Sequence, residues 1–192
     1  LGVEVTVFER GYDLMPAASG INQYRLHRGY HYPRSFETMM ASKKAEPEFA
    51  SRYSQALVRD ATHYYSISAE NSKTSAAEYI EFCNAADLYY KEVQVPIVSS
   101  KVAITIKAKE YLFDPDILRQ LIHKELDRAG VKVKLQTNAT KSILKKFDFV
   151  IIATYASSNE LVAQLELPVQ EYQYEVCEKP IVRMPKSFGR VS

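Results

Sequence analysis

The sequence lacks several features that would assign it to a particular class of protein. It has no tryptophan and only two cysteines, Cys83 and Cys177, which lie far apart and form no CxxC motif. Neither a zinc site nor a disulfide framework is therefore indicated, and we predict no metal site. Such sparse use of cysteine is typical of a reducing compartment, so we predict a cytoplasmic protein.

Long apolar runs and an excess of charge of one sign are also missing. No run approaches the roughly 20 residues of a membrane-spanning helix, so no transmembrane segment is predicted. The 25 basic and 23 acidic residues give a net charge of +2. This balance gives no general attraction to nucleic acid, so we predict no nucleic-acid partner and expect any positively charged site to be local.

An apolar strand opens the chain and ends in an acid. Residues 3–8 read VEVTVF, which predicts a parallel strand buried on both faces, and Glu9 follows it. An acid after the second strand of a dinucleotide-binding unit accepts hydrogen bonds from ribose hydroxyls. In an arbitrary chain such an acid is about as often a solvated loop residue, so the segments that follow decide between the two interpretations.

A turn of small residues and a loop rich in arginine, histidine and tyrosine come next. Residues 17–20 read AASG, which would let backbone amides approach a phosphate closely. Residues 25–34 read RLHRGYHYPR, with three arginines within ten residues. Guanidinium groups can clamp a carboxylate or phosphate, and imidazole titrates near neutral pH. We therefore expect this loop to bind a small anionic substrate.

The rest of the chain alternates helix and strand patterns. Helices are predicted over 36–59, with a break or kink near Pro47, over 76–86 after a capping box of Ser75 and Glu78, from Asp114 to about 130, and over 159–165. Strands are predicted over 62–68, 93–98, 102–107, 131–135, 147–153 and 172–182. The segments 93–98 and 102–107 are expected to pair antiparallel.

The order of these segments resembles one known family. The motifs that carry the resemblance are VTVFER, ASGIN, LHRGYHY, FDPDILRQLIHKEL before GVKVKLQTNAT, and DFVIIAT. Each is weak alone, but five in this order resemble the D-amino-acid-oxidase-like (DAO) family of FAD-dependent oxidoreductases, and the resemblance covers most of the chain. It implies an α/β fold in which a Rossmann-like FAD/NAD(P)-binding domain is interleaved with a mixed or antiparallel β substrate domain.

The resemblance also implies domain boundaries and residues that bind the cofactor FAD. The FAD-binding domain would comprise residues 1–45 and 112–160, and the substrate domain residues 60–110 and 166–192, both incomplete. Glu9 would bind the ribose, and Arg10 would lie beside the adenine. The other implied FAD-binding residues are Ser19, Gly20, Asn22, Arg25, His27, Ala139, Ala153 and Thr154. Tyr155 stands where the family pattern has a glycine.

The implied reaction is hydride transfer from a CH–NH or CH–OH group of the substrate to the flavin. The loop 25–34 would run along the isoalloxazine, with His27 closest to the ring. His27 or His31 would take the substrate proton, Tyr30 or Tyr32 would orient the substrate, and Arg25, Arg28 and Arg34 would clamp its anionic group. We predict His27, His31, Tyr32 and Arg34 to be catalytic.

A Gly-rich turn, which normally binds the pyrophosphate of a dinucleotide, is absent before Gly2. We therefore expect the chain to be an internal fragment that binds FAD poorly by itself. Two other classes stay open. An NAD-dependent Rossmann dehydrogenase would share the opening strand and acid, but it would continue as repeated βα units. A non-catalytic, flavoprotein-derived interaction module would share the whole pattern without binding flavin.

Overall fold

The computed structural model describes residues 2–96, 98 and 100–173, which form two compact units. One unit contains the described residues up to 21 and from 122 onward, and the other contains residues 22–121. The sequence analysis predicted domain boundaries near 45 and 112 instead. Which segments bind FAD and which bind the substrate stays a prediction.

The first unit is built on two short parallel strands. β1 (Thr6–Phe8) pairs with β8 (Lys132–Lys134), so both strands run to the same edge. Two helices follow, α4 (Lys141–Leu144) and α5 (Ser158–Gln164). Phe8 packs edge-to-face on Phe147, with the ring centroids 5.7 Å apart. The unit thus retains the parallel pairing expected of a dinucleotide-binding sheet, but with only two strands among the described residues.

The predicted burial of the opening strand and the predicted strand over 147–153 are both wrong. The opening strand is not buried on both faces, because β1 is only half-buried and Val3 and Val5 are exposed. Residues 147–153 form no strand, and Phe149 and Ile151 are each 91% exposed. Their apolar sequence would suit a buried strand, but no described strand pairs with them. Without a neighbour, the segment has neither a ladder of hydrogen bonds nor a covered face.

The second unit contains two three-stranded sheets. β2 (Arg25–Leu26) and β3 (Leu57–Val58) flank β7 (Tyr111–Phe113), and β4 (His63–Ser68) and β5 (Tyr90–Glu92) flank β6 (Val102–Ala108). All of these pairs are antiparallel. The prediction of a strand over 93–98 is wrong for its described residues, because β5 ends before Val93. Beyond β5, the Val93 N–H still donates to the Thr105 carbonyl at 3.0 Å, and the Val98 N–H donates to the Val95 carbonyl within a local turn.

Three helices begin or end where their sequence signals predict. In α2 (Ala76–Ala85) the capping box of Ser75 and Glu78 is complete. In α3 (Pro115–Arg128) the Asp114 carboxylate accepts from the Asp116 and Ile117 N–H groups. α1 (Phe36–Arg52) is capped by Ser35 and runs through Pro47, so the predicted break does not occur, and a 3₁₀ turn (Ser54–Ala56) follows it. The predicted helix to residue 59 was thus too long.

The core of the second unit lies between β4–β6 and the helices α1 and α2. Its largest fully buried side chains include Tyr30, Met39, Tyr79 and Ile106. Cys83 is also buried there, and burial raises the pKa of its thiol to about 11, as expected of a small apolar core residue. Cys177 and most of the predicted strand 172–182 lie outside the described residues. No described helix has the length and apolar character that crossing a membrane requires.

His63, a buried residue of β4, makes the stability of this unit depend on pH. Burial, reinforced by Arg25 and His27, lowers the pKa of His63 from 6.5 to about 4. As pH falls from 6.5 toward 4, the unfolded chain therefore takes up a proton that the folded chain does not. The stability that neutral His63 provides is complete above pH 6.5 and is lost toward pH 4.

Between pH 7 and pH 4.5, we expect the unfolding free energy of the wild-type protein to fall by about 2 kcal/mol more than that of His63→Gln. The variant falls less because glutamine cannot take up this proton. Urea unfolding at the two pH values measures the difference. Equal losses in the two proteins would show that His63 does not titrate with folding.

Candidate active site

The loop of residues 25–34 is fixed at both ends by regular structure. At its start, Arg25 and Leu26 form β2 and pair with Leu112 and Tyr111 of β7. At its end it runs directly into the N-cap of α1. In between, Gly29 has a φ of 113° and accepts a hydrogen bond from the Tyr32 N–H at 3.0 Å. The loop is therefore a turn of defined shape between a strand and a helix.

Three of the four predicted catalytic residues form one aromatic cluster in this turn. The His27 and His31 rings are stacked, with centroids 5.2 Å apart. The Tyr32 ring stands edge-on to both, at 5.9 Å from His27 and 5.4 Å from His31. The fourth, Arg34, is exposed and lines a cleft of about 270 Å³ together with His31 and Tyr32. Two imidazoles, a phenol and a guanidinium are thus brought to one small region.

The three arginines of the loop do not form a single clamp. The Arg25 guanidinium lies over the Tyr65 ring, 4.7 Å from its centroid. Arg28 Nε lies 3.7 Å from Oε2 of Glu46, a buried acid on α1. These two arginines have protein partners, whereas Arg34 lies at the cleft. Of the three, Arg34 is the one best placed to meet an anionic ligand from solvent.

A buried acid that the sequence analysis did not identify, Glu110, lies against the start of the loop. Its Oε1 accepts from the Arg28 backbone N–H at 2.8 Å, and its Oε2 accepts from the Tyr65 hydroxyl at 2.7 Å. Oε1 is also 3.9 Å from His27 Nδ1. Burial raises the pKa of Glu110, although the two hydrogen bonds and the charges of Arg25 and Arg28 oppose this shift.

Tyr30, which the sequence offered as an alternative to Tyr32 for orienting the substrate, is buried, and Tyr65 is a residue that the sequence analysis did not identify. Tyr30 is 1% exposed; its hydroxyl donates to the Tyr89 carbonyl, and burial raises its pKa to about 12. Burial likewise raises the pKa of Tyr65, whose ring stacks on that of Tyr30 with centroids 5.6 Å apart. Both phenols are therefore protonated at neutral pH and act as hydrogen-bond donors and packing groups.

In the first unit, Glu9 follows directly after β1, at the edge where β1 and β8 both end. Its backbone continues the ladder, with the N–H donating to the Lys134 carbonyl at 3.0 Å. Its carbonyl accepts from the Thr137 N–H at 2.9 Å, and its carboxylate accepts from the Gly11 N–H at 2.6 Å. Ala139, two residues beyond Thr137, is half-buried. Glu9 and Ala139 thus both follow strands that end at this edge.

Arg10 lies beside the segment that follows Thr154. Its guanidinium donates to the Ser157 hydroxyl at 3.2 Å and lies 3.9 Å from the Glu160 carboxylate. Ala153 and Thr154 are exposed next to it. Tyr155 has a φ of 51°, in the left-handed region that favours glycine, and its side chain is 81% exposed. The backbone here thus has a conformation suited to the glycine that the family pattern carries.

The small-residue turn is tight at Gly20. Its N–H donates to the Ala17 carbonyl at 2.8 Å, and a Cβ at this position would lie 2.0 Å from the Met15 carbonyl oxygen. Ser19 is exposed beside it. Asn22 belongs to the second unit, and its side chain accepts from the Tyr24 N–H. Ser19 and Gly20 therefore lie in one turn, and Asn22 stabilises a separate turn.

Comparison with known proteins identifies similar flavoenzymes. No protein-family model matches the chain. The FAD-dependent monooxygenase FPY4 of Fusarium mangiferae is 27% identical over 86% of this chain and 47% of its own. The FAD-dependent monooxygenase kojA of Aspergillus flavus is 27% identical over 74% of this chain and 35% of its own. The chain thus spans half or less of the length of these relatives.

Solved structures with the same fold include L-amino acid deaminase from Proteus vulgaris. It aligns with a TM-score of 0.51 and 12% identity over 70% of this chain and 34% of its own. A form lacking the specific insertion sequence aligns with a TM-score of 0.50, covering 39% of its length. At this identity the likeness concerns the fold alone. The chain is therefore similar to FAD-dependent oxidoreductases, and the curated relatives agree with the predicted cofactor, FAD.

Proposed function

We propose that this chain is part of an FAD-dependent oxidoreductase of the D-amino-acid-oxidase-like family. Its reaction is the oxidation of a CH–NH or CH–OH group in a small substrate that carries a carboxylate or phosphate. The observation that carries the proposal is the ring cluster of His27, His31 and Tyr32 beside a cleft that His31, Tyr32 and Arg34 line. Such a set can bind an anion and move a proton within one small region.

The chemistry of the first unit fits FAD. A carboxylate at the carboxyl edge of a parallel strand pair, here Glu9, suits ribose hydroxyls. The exposed Ser19 carries a hydroxyl that suits a phosphate, whereas the Gly20 N–H already donates to the Ala17 carbonyl. Arg10 and Ala139 would lie toward the adenine. The remaining residues proposed to hold FAD are Asn22, Arg25, His27, Ala153 and Thr154. When bound, FAD supplies the hydride acceptor that no side chain can provide.

The chain's own residues bind the substrate and handle its proton. Arg34 binds the anionic group, because a guanidinium offers paired donors in one plane. His27 or His31 removes the proton from the amine or hydroxyl as the carbon loses its hydride, and Tyr32 orients the reacting group. The stacked imidazoles place two proton acceptors side by side.

Monooxygenation is a second candidate, favoured by the names of the curated relatives. Monooxygenation differs from direct substrate oxidation in the source of its electrons. Inserting one atom of O₂ into a substrate and reducing the other to water requires four electrons, of which the substrate supplies two. An external reductant must supply the other two, whereas direct substrate oxidation requires none.

We expect the complete natural protein to contain flavin whose visible absorption bleaches anaerobically when a carboxylate- or phosphate-bearing amine or alcohol is added. Its product should carry no label from ¹⁸O₂. Bleaching that requires a reduced nicotinamide, together with ¹⁸O in the product, would instead establish the monooxygenase. Absence of flavin from the purified protein would refute both candidates and favour an interaction module.

A further inference from the structure

Glu110 occupies an unusual position for an acidic residue. It lies in the short connection between β6 and β7, yet its side chain is 0% exposed. Carboxylates are almost never fully buried without dedicated partners. Here the partners come from two separate segments, namely the backbone of Arg28 in the loop and the hydroxyl of Tyr65 in β4. The residue therefore joins the loop to the sheet.

Both carboxylate oxygens of Glu110 act as acceptors. The Arg28 N–H is directed at Oε1 and the Tyr65 hydroxyl at Oε2, at 2.8 and 2.7 Å. Donors directed at both oxygens favour the ionised form and oppose the burial that raises the pKa of Glu110. Arg25 and Arg28 add positive charge nearby. The site is thus built to hold a carboxylate beside the loop.

The charge of Glu110 acts on one nitrogen of His27. Nδ1 of that ring is a buried atom, 3.9 Å from Glu110 Oε1. This distance is too long for a hydrogen bond but short enough for strong electrostatic attraction inside a protein. A carboxylate on the Nδ1 side favours the tautomer with the proton on Nδ1, which leaves Nε2 as the acceptor.

We propose that Glu110 is a positioning residue of the candidate site, which fixes the backbone at Arg28 and holds the ring proton of neutral His27 on Nδ1. Where His27 rather than His31 takes the substrate proton, Nε2 is then the nitrogen that accepts it. The consequence for the reaction rests on the proposed function, whereas the tautomer is a property of the chain without flavin.

The test is ¹⁵N NMR of the imidazole nitrogens in the flavin-free chain labelled at histidine, with the His27 signals assigned by their loss in His27→Gln. In the neutral His27 ring of the wild-type chain, we expect Nδ1 to carry the proton. Glu110→Gln keeps an acceptor and the shape of the side chain but removes the charge. We expect it to reduce the ratio of Nδ1–H to Nε2–H by about tenfold.

Glu46→Gln is the matched control, because it removes another buried acid that contacts the same loop through Arg28 Nε. We expect it to leave the His27 tautomer unchanged. A proton on Nε2 of His27 in the wild-type chain would by itself overturn the proposal. An equal change of the tautomer ratio in Glu110→Gln and Glu46→Gln would also overturn it. A protein without flavin would refute the proposed function while leaving this result intact, so the two failures are distinguishable.

Discussion

Replacing Gly29 with alanine is expected to lower the unfolding free energy of the second unit by about 3 kcal/mol. Two effects combine. The φ of 113° lies in a region that residues with a side chain rarely adopt. A Cβ would also lie 2.7 Å from Met39 Cγ and 3.3 Å from the Met39 carbonyl oxygen, and Met39 is fully buried on α1. Either the loop or the core has to shift.

Gly130 provides the matched control. It also has a positive φ, of 68°, but a Cβ there would meet nothing within 4 Å. Gly130→Ala should therefore cost only the backbone strain, about 1 kcal/mol. Because the two glycines belong to different units, amide hydrogen exchange should be followed separately in each. Equal costs for the two substitutions would show that Gly29 does not pack against Met39.

The starts of α2 and α3 were predictable because their signals are local. The capping box of Ser75 and Glu78 and the Asp114–Pro115 pair each act within a single turn, and both begin helices in the structure. Gly130 likewise follows α3 with a left-handed φ. Such caps satisfy backbone groups of the same segment, so no distant residue is needed to interpret them.

Strands were less predictable because each needs a partner. β4 was correctly placed, and β6 pairs along it over most of its length. Residues 147–153 have an equally apolar sequence, but no described strand pairs with them, and they remain an exposed loop. Composition alone cannot distinguish the two cases, because the difference lies in which other segment comes alongside.

The candidate site was predictable only in part. The residue types in LHRGYHYPR indicate anion binding and proton transfer, and the structure brings His27, His31 and Tyr32 together. Glu110 could not have been identified in the same way. It is 82 residues from Arg28 in sequence, and a Lys-Glu pair between two strands has the pattern of an exposed turn. Its burial depends entirely on the tertiary fold.

The binding of FAD by the complete natural protein tests the central claim most directly, with Glu9 as the residue to vary. We expect the purified protein to contain FAD, and Glu9→Ala to raise its dissociation constant at least about tenfold, since the variant loses charge-assisted hydrogen bonds to the ribose. Glu9→Gln, which keeps an acceptor for the Gly11 N–H, should have a smaller effect.

Glu4→Ala is the control, because Glu4 is an exposed acid of the same segment that contacts Lys132 instead. Titration of the flavin-free protein with FAD, followed by quenching of flavin fluorescence, gives each dissociation constant. The account predicts weak binding by Glu9→Ala and wild-type binding by Glu4→Ala. A natural protein without FAD, or Glu9→Ala with wild-type affinity, would contradict it.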